Sequence, residues 1–356
     1  MKIGIDIRST LKRKTGIGQY TLNLINNLAK IDPVNKYLLY SRKKIIDRKR
    51  KLPQIPGENF HHRVDYFSFG AEKMLKDAEI FHSSSYDQRK PKHAKFVLTI
   101  HDVIHKVYPT VHAPETIASI DRQLQEILQQ AAMIITDSQT TKDDFLKWFF
   151  FKPERIRVVY PGVNRWFYPG TSAKEQYILF VGTIEPRKNL KNLVRAFYLL
   201  KKEHLLPHKL IIIGMKGWMF EEVFKLVEEL KLSSEIVFKD YVSDEELRNW
   251  YTRAEVFVYP SLYEGFGFPI VEAFASGVPV VTSNTSACAE VARGAALLVD
   301  PQNFGELSNA ILRVIKNEDL RSELIMEGLE RARQFSWDRA AAQVLSIFRE
   351  VYASEG

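Results

Sequence analysis

Two kinds of segment alternate along the whole chain. Short apolar runs rich in β-branched residues are separated by longer segments with apolar residues at helical spacing, such as APETIASIDRQLQEILQQAA. Runs without polar alternation predict parallel strands that helices cover on both faces. In the first half we predict strands at residues 2–7, 37–41, 80–84, 95–102, 133–137 and 156–160. In the second half the corresponding runs are YILFVGTI, KLIIIG, EIVFKD, VFVYPS, PVVTSN and ALLVDP.

This alternation occurs twice, which predicts an α/β protein made of two doubly wound, Rossmann-like domains. Both patterns are interrupted by PGVNRWFYPGTSAKEQ, so we place the boundary between domains 1–166 and 167–339. Open parallel sheets bind ligands at the carboxyl ends of their strands. Two such sheets facing each other would place a site in the cleft between them, and its residues should directly follow strands.

Composition and charge narrow the functional classes. Hydrophobic residues make up 45% and charged residues 26% of the 356, which is typical of a globular protein, and no run of eighteen apolar residues occurs. The N-terminus lacks the pattern of a signal peptide, so a cytoplasmic location is expected. A single cysteine, Cys288, excludes an internal disulfide and a cysteine-cluster metal site.

The charge is distributed unevenly between the two halves. Residues 1–166 contain 29 Lys and Arg against 17 Asp and Glu, whereas residues 167–356 contain 22 against 26. An excess confined to one half suggests that this half faces an anionic partner: nucleic acid, a phosphorylated substrate or a membrane surface.

The segment VYPSLYEGFGFPIVEAFASGVPVV, residues 258–281, combines a buried strand, a glycine-bearing loop and a helix that begins near Pro269. Proline favours the first helical turn, so Gly267 and Phe268 should lie at the cap, where backbone amides and the helix dipole suit a diphosphate. Glu264 in the loop and Glu272 in the first turn could accept hydrogen bonds from sugar or ribose hydroxyls. The alternative is one capping and one surface carboxylate.

A second segment, FVGTIEPRKNL, places Arg187 and Lys188 after a buried strand and at the start of a helix. Two adjacent cations can neutralise the charge that develops on a departing diphosphate, a task that otherwise needs a divalent metal. The alternative is a pair of solvated charges. The helix dipole disfavours cations at this position, which suggests a bound anion.

Weaker signals lie elsewhere in the sequence. Gly16 and Gly18, between the first strand and a helix, would let the backbone approach a ligand, although a plain tight turn explains them equally well. His101 ends the strand in LTIHDV, and a lone histidine is more often structural. Ser243 in VSDEE predicts a capping box at the start of a helix.

These segments together resemble the retaining glycosyltransferases of family four, which have the GT-B fold. The E-x7-E spacing of residues 258–281 is accompanied, in the expected order, by TGIGQYTLNL, LTIHDV, VVYPGV, FVGTIEPRKNL and AALLVDP. The resemblance implies metal-independent transfer of a hexose from a nucleotide-diphosphate sugar to an acceptor hydroxyl, without a cofactor. It also implies that the nucleotide binds the second domain and the acceptor the first, and that the last helix, about 340–356, packs back on the first domain.

The wording of GTIEPRKN and TIHDV resembles bacterial mannosyltransferases of polysaccharide or O-antigen assembly, so GDP-mannose is expected as donor ahead of UDP-sugars. The resemblance assigns catalytic roles to His101, which would contact the transferred sugar, and to Arg187, Lys188 and Glu264. Many family members carry an arginine where Thr183 stands, and Arg187 takes that role here. The donor-binding set that the resemblance implies is Gly16, Gly18, Thr183, Gly214, Val242, Gly267, Phe268, Pro269 and Glu272.

The mechanism and partners stay partly open at this point. The sequence presents no convincing nucleophile, so a front-side reaction in which Glu264 orients the sugar is favoured over double displacement. Alternatives for the whole chain are a nucleotide-sugar epimerase of the same fold and a nucleic-acid-binding module that uses the basic half; nucleic acid is not expected, because no recognisable binding motif is present. The aromatic run Phe149–Phe151 indicates either core packing or an edge that contacts a membrane. A membrane-contacting edge would suit a lipid-linked saccharide acceptor and a peripheral location on the inner face of the cell membrane.

Overall fold

The computed structural model describes residues 1–11, 16–43, 51–84, 86, 90–111, 114–171 and 173–354. The chain divides into two compact units, one formed by Met1–Gly162 with Ser336–Gly356 and the other by Val163–Phe335. The first break therefore lies four residues before the predicted boundary, and the chain returns to the first unit at Ser336 rather than at residue 340.

Strands and helices alternate through both units, as the hydrophobic pattern predicts. The strands are β1 Lys2–Asp6, β2 Lys36–Arg42, β3 Phe60–Asp65, β4 Ile80–Ser83, β5 Lys95–Ile100, β6 Ala131–Thr136, β7 Ile156–Val158, β8 Glu175–Val181, β9 Lys209–Ile213, β10 Ile236–Lys239, β11 Ala254–Tyr259, β12 Val280–Ser283 and β13 Ala296–Val299. The helices are α1 Gly16–Ile31, α2 Ala71–Met74, α3 Ile104–Val107, α4 Pro114–Leu128, α5 Gln139–Trp148, α6 Leu190–His204, α7 Glu221–Glu229, α8 Asp244–Arg253, α9 Phe268–Ala275, α10 Ser286–Ala292, α11 Phe304–Lys316, α12 Glu318–Ala332 and α13 Trp337–Ala353.

In its described part, the first unit has a seven-stranded parallel sheet in the order β3-β2-β1-β4-β5-β6-β7. The C-terminal helix α13 packs against α1 and against β4 and β5, so the end of the chain completes the core of this unit. Strand β3, with the sequence FHHRVD, is not among the predicted strands. It lies at the edge of the sheet, where most of its side chains are only half-buried, so its sequence needs no continuous apolar run.

The second unit has a six-stranded parallel sheet in the order β10-β9-β8-β11-β12-β13 within the residues described. All six of its predicted strands are present. Because β8 and β11 are neighbours, the segments that follow them leave the sheet side by side at its carboxyl edge. Two parallel-sheet, Rossmann-like halves confirm the predicted α/β fold class. No helix in the described part of the chain is both long and apolar enough to cross a bilayer.

Candidate active site

Hydrogen bonds join the segments that follow β8 and β11. Proline starts a short 3-10 turn at Pro186–Lys188, and the carbonyl oxygen of Arg187 accepts from the Leu262 amide at 2.9 Å and from the Ser261 hydroxyl at 3.2 Å. The Asn189 side chain donates to the Pro260 carbonyl at 3.1 Å. These bonds bring Arg187 and Lys188 beside a carboxylate that lies about eighty positions further along the chain.

That carboxylate is Glu264, which is only 7% exposed. Its Oε1 accepts from Lys188 Nζ at 2.5 Å, from the Ser261 hydroxyl at 2.6 Å and from the Tyr259 hydroxyl at 3.0 Å. Its Oε2 accepts from Arg187 Nη1 at 2.6 Å. Burial would raise the pKa of Glu264, but the two cations and the hydrogen bonds outweigh it and lower the pKa to about 2. Glu264 is therefore ionised throughout the neutral range.

The cations have a second set of partners. Lys188 Nζ also donates to the Tyr259 hydroxyl at 2.6 Å, and burial lowers the pKa of Lys188 although Glu264 opposes that effect. Arg187 binds Glu185 through Nε at 3.1 Å and Nη2 at 2.8 Å. Two carboxylates thus balance two cations within the cluster. The sequence suggested a bound anion from the position of the two cations at a helix start. Because Glu264 and Glu185 already compensate their charges, that position does not by itself require one.

The segment after Glu264 forms the start of α9. Gly267 precedes the helix with φ of 99°, a left-handed conformation that favours glycine, and Phe268 and Pro269 open the first turn as predicted. Glu272 is the fifth helical residue and so begins the second turn, not the first. It accepts from the Tyr251 hydroxyl at 3.0 Å, and burial raises the pKa of Glu272 to about 7.

Three other predicted donor-binding residues lie in the second unit. Gly214 has a packing reason of its own: a Cβ there would lie 1.9 Å from the carbonyl oxygen of Gly182, so the ends of β8 and β9 could not approach as they do. Thr183 is half-buried after β8. Val242 packs partly buried on the core, and beside it Ser243 accepts from the Glu246 amide at 3.2 Å, which confirms the predicted cap of α8.

The remaining predicted residues lie in the first unit. Gly16 and Gly18 are in the first turn of α1, not in a loop before it. A Cβ at Gly16 would meet nothing within 4 Å. His101 follows β5, and its Nδ1 lies 2.6 Å from Asp137 Oδ2. Burial lowers the pKa of His101, but the Asp137 carboxylate outweighs burial and raises it above its ordinary value.

Several residues of these clusters were not found by sequence reasoning. Glu185 had a local signal, since it stands two residues before Arg187 in EPRK. The sequence gives no signal, beyond a place near a strand end or in a helix, for the other four residues: Tyr251, Tyr259, Ser261 and Asp137. Among the described residues, no three His, Cys, Asp or Glu side chains are grouped so that they could hold a metal ion.

Comparisons with known families divide the chain as its two halves do. Residues 15–166 match the family described as Glycosyltransferase Family 4. Residues 167–331 match the family described as Glycosyl transferases group 1. The two matches together span most of the sequence.

Named relatives include three mannosyltransferases. O-antigen chain mannosyltransferase B of Escherichia coli is 29% identical over 94% of this chain and 96% of its own length. O-antigen chain mannosyltransferase RfbU of Salmonella typhimurium is 30% identical over 61% of this chain and 60% of its own length. MMP alpha-(1->4)-mannosyltransferase of Mycolicibacterium hassiacum is 32% identical over 64% of this chain, with 56% of its own length covered.

Solved structures share the fold at low sequence identity. Sucrose-phosphate synthase from Thermosynechococcus elongatus superposes with a TM-score of 0.81 at 22% identity and covers 99% of this chain and 100% of that one. Anabaena HepE, crystallised in complex with UDP and glucose, gives a TM-score of 0.75 at 16% identity over 97% of this chain and 99% of its own. At such identities the likeness concerns the fold alone.

Proposed function

The chain belongs to the glycosyltransferases of family 4 and group 1, and on that premise we propose that it transfers mannose from GDP-mannose to an acceptor hydroxyl, with retention of anomeric configuration. The names of the bacterial relatives support mannose as the sugar and a surface polysaccharide such as an O-antigen as the product. UDP-sugars are the second choice of donor. Family membership favours transfer over the epimerase and nucleic-acid-binding alternatives.

The observation that carries the proposal is the buried cluster of Arg187, Lys188 and Glu264 at the carboxyl edge of β8 and β11. When the bond between the anomeric carbon and the diphosphate breaks, negative charge develops on the departing phosphate oxygen. Two fixed cations stabilise that charge more than they stabilise the bound donor, which is the condition for raising kcat. They can fill the role that a divalent ion has elsewhere, so we expect catalysis to be independent of metal.

Glu264 is poorly suited to act as a nucleophile. Three donors occupy its Oε1, and a carboxylate with a pKa of about 2 is weakly basic. Its Oε2, which accepts from Arg187, has a lone pair that can also accept from a sugar hydroxyl. We therefore assign it to orienting the donor sugar.

Retention then follows from a front-side reaction. The acceptor oxygen bonds to the anomeric carbon on the face from which the diphosphate leaves. The acceptor proton passes to the departing phosphate oxygen, so no protein base is needed. In this scheme Glu272, whose carboxylate lies in α9, binds the ribose, and the start of α9 faces the diphosphate.

The direct test incubates the purified chain with GDP-mannose, UDP-glucose or UDP-N-acetylglucosamine, with water as the acceptor of the sugar, and measures release of the nucleoside diphosphate with and without EDTA. We expect release from GDP-mannose to exceed that from either UDP-sugar and to survive chelation. Thermal unfolding with GDP or UDP gives an independent measure, because a ligand at a hundred times its Kd stabilises by about 2.7 kcal/mol. Preference for UDP in both assays would overturn the donor assignment, and loss of activity in EDTA that Mg²⁺ restores would overturn metal independence.

We also propose that the enzyme binds the inner face of the cell membrane peripherally and acts on a lipid-linked saccharide. Phe149 packs in the core of the first unit, and Phe151 packs half-buried beside it. Phe150, in contrast, is 100% exposed and its neighbour Trp148 is 52% exposed. Beside them Lys147 is exposed and pairs with Asp144 at 2.8 Å, and the first half of the chain has the basic excess. Each basic residue near an anionic surface contributes about 1 kcal/mol within a Debye length.

Sedimentation with anionic or neutral vesicles, at low and high salt, tests the membrane proposal. We expect binding to anionic vesicles at low salt and its loss at high salt. Phe150→Ala should weaken that binding, whereas the control Leu205→Ala, which removes an 83% exposed side chain from the second unit, should not. Equal recovery in the supernatant under all four conditions would contradict the proposal and leave the transferase assignment intact.

A further inference from the structure

Two adjacent strands of the first unit place a histidine and an aspartate side by side. In the parallel register of β5 and β6, Ile100 lies opposite Thr136, and the next residue of each strand is His101 and Asp137. Because both segments leave the sheet at the same edge, the imidazole Nδ1 of His101 comes within 2.6 Å of Asp137 Oδ2. The side chains of both residues are largely buried, with 15% and 3% exposed.

The histidine ring is held in one orientation by its neighbours. The ring of Tyr20, from α1, meets it edge-on with centroids 4.8 Å apart. The Thr141 hydroxyl donates to the His101 carbonyl at 3.3 Å. The Thr141 amide in turn donates to Ser138, the N-cap of α5, at 3.0 Å. This arrangement ties the segment after β5 to the start of the helix that follows Asp137.

The other ring nitrogen of His101 lacks a partner. Within the described part of the chain, Nε2 is buried and makes no hydrogen bond. Buried polar atoms are normally satisfied, so this nitrogen, beside a ring that Asp137 and Tyr20 contact, is available to a group that binds later. The titratable groups that face the pair are Asp102 on the same segment, His82 on β4, Tyr20 on α1, and Tyr86.

We propose that Asp137 is a positioning residue for His101: it accepts a hydrogen bond from Nδ1–H, fixes that tautomer, and presents Nε2 to a hydroxyl of the substrate. A carboxylate behind an imidazole sets which nitrogen carries the proton and which faces the ligand. A sugar hydroxyl both donates and accepts, so it pairs with Nε2 in either protonation state. The identity of that hydroxyl as a sugar group rests on the proposed function; the tautomer does not.

The first experiment reads the tautomer without any turnover. With ¹⁵N-labelled histidine, NMR of the wild-type chain should show His101 protonated at Nδ1, with its signal identified by its loss in His101→Gln. Asp137→Asn removes the charge that favours imidazolium, so the titration midpoint of His101 should fall. A wild-type His101 protonated at Nε2 when neutral, or a midpoint unchanged in Asp137→Asn, would overturn the proposal.

The second experiment measures kinetics against a matched control. Asp137→Asn should lower kcat about tenfold to a hundredfold with little change in KM for the nucleotide sugar, and Asp137→Ala should lower it further, because the asparagine oxygen can still accept a hydrogen bond from Nδ1–H. The pH profile of kcat for Asp137→Asn should shift in the same direction as the titration midpoint of His101 in the NMR experiment. The control is Glu255→Gln, which removes the charge from a similar pair in the second unit, His208 Nε2 to Glu255 Oε2 at 2.6 Å, and should leave kcat unchanged.

The outcomes separate the two proposals. If the Nδ1 tautomer and the shifted midpoint are found but no nucleotide sugar is turned over, the proposed function fails and the positioning role stands. If Asp137→Asn loses activity while His101 keeps its tautomer and its midpoint, Asp137 has a structural role only and the inference is wrong.

Discussion

Replacing Glu264 with glutamine removes the central charge of the cluster while preserving its shape. In the variant, Lys188 and Arg187 remain close together, with only the Glu185 carboxylate to balance their charges. The glutamine amide also turns its NH2 group toward a side chain that donates a hydrogen bond to Glu264 in the wild type. The pKa of Glu264 falls from 4.5 to about 2 in the folded protein. Since one pKa unit corresponds to about 1.4 kcal/mol, the ionised carboxylate stabilises the fold by about 3 kcal/mol at neutral pH. This agrees with the roughly 3–5 kcal/mol cost of removing one partner from a buried pair.

The sign of the pH dependence follows from the lowered pKa. The stabilisation is fully present above the unfolded value of 4.5 and is lost as pH falls toward about 2, where the folded carboxyl becomes protonated. The difference in the free energy of unfolding between wild type and Glu264→Gln should therefore be about 3 kcal/mol at pH 7 and about 2 kcal/mol at pH 3.5. Hydrogen exchange read by mass spectrometry measures it, because peptides from β8 and β11 report the second unit separately from the first.

A matched control separates this effect from ordinary loss of an ion pair. Glu222→Gln breaks the pair between Lys191 and Glu222, which has a similar distance of 2.8 Å but is half exposed, so it should cost less than about 1 kcal/mol. In the same preparations, Glu264→Gln should still bind GDP but transfer mannose slowly. A cost below 1 kcal/mol at pH 7, or a cost that does not change between pH 7 and 3.5, would refute the electrostatic account.

Three further variants probe separate parts of the site. Lys188→Ala should lower kcat by about a hundredfold or more, because the stabilised charge develops in the transition state, whereas the exposed control Lys191→Ala should stay within twofold in the same steady-state assay. Because the pKa of Glu272 is raised from 4.5 to about 7, its ionisation begins to oppose folding above pH 4.5 and opposes it fully above about pH 7; without nucleotide, Glu272→Gln should raise Tm much more at pH 8 than at pH 5, and it should weaken GDP binding in calorimetry. An equal rise in Tm at both pH values would contradict the burial argument. Gly16→Ala should leave stability unchanged or raise it by less than about 1 kcal/mol, so a fall in activity at wild-type Tm would indicate that a ligand approaches this turn.

The local pattern of the sequence was sufficient for the strands that lie inside the two sheets and for several residues that follow them. A central parallel strand is buried on both faces, so its apolar run is visible without knowledge of its neighbours. The cap at Ser243 and the turn at Gly267 are equally local, since each depends on residues within one helical turn. Strand β3 escaped because its sequence, FHHRVD, has no apolar run, whereas the other edge strands, β7, β10 and β13, were predicted from theirs.

What the sequence by itself determined is the α/β class, the succession of strands and the segments that follow β5, β8 and β11. Only the tertiary structure decided which of those segments meet. Glu264 joins Lys188 because β11 pairs with β8, although more than seventy residues separate them in the chain, and Asp137 joins His101 because β6 pairs with β5. Strand order decides which distant charges become neighbours, and burial then decides how strongly they act on one another. Neither property is visible in the spacing of residues along the chain, which is why Asp137, the partner of His101, emerges only from the folded protein.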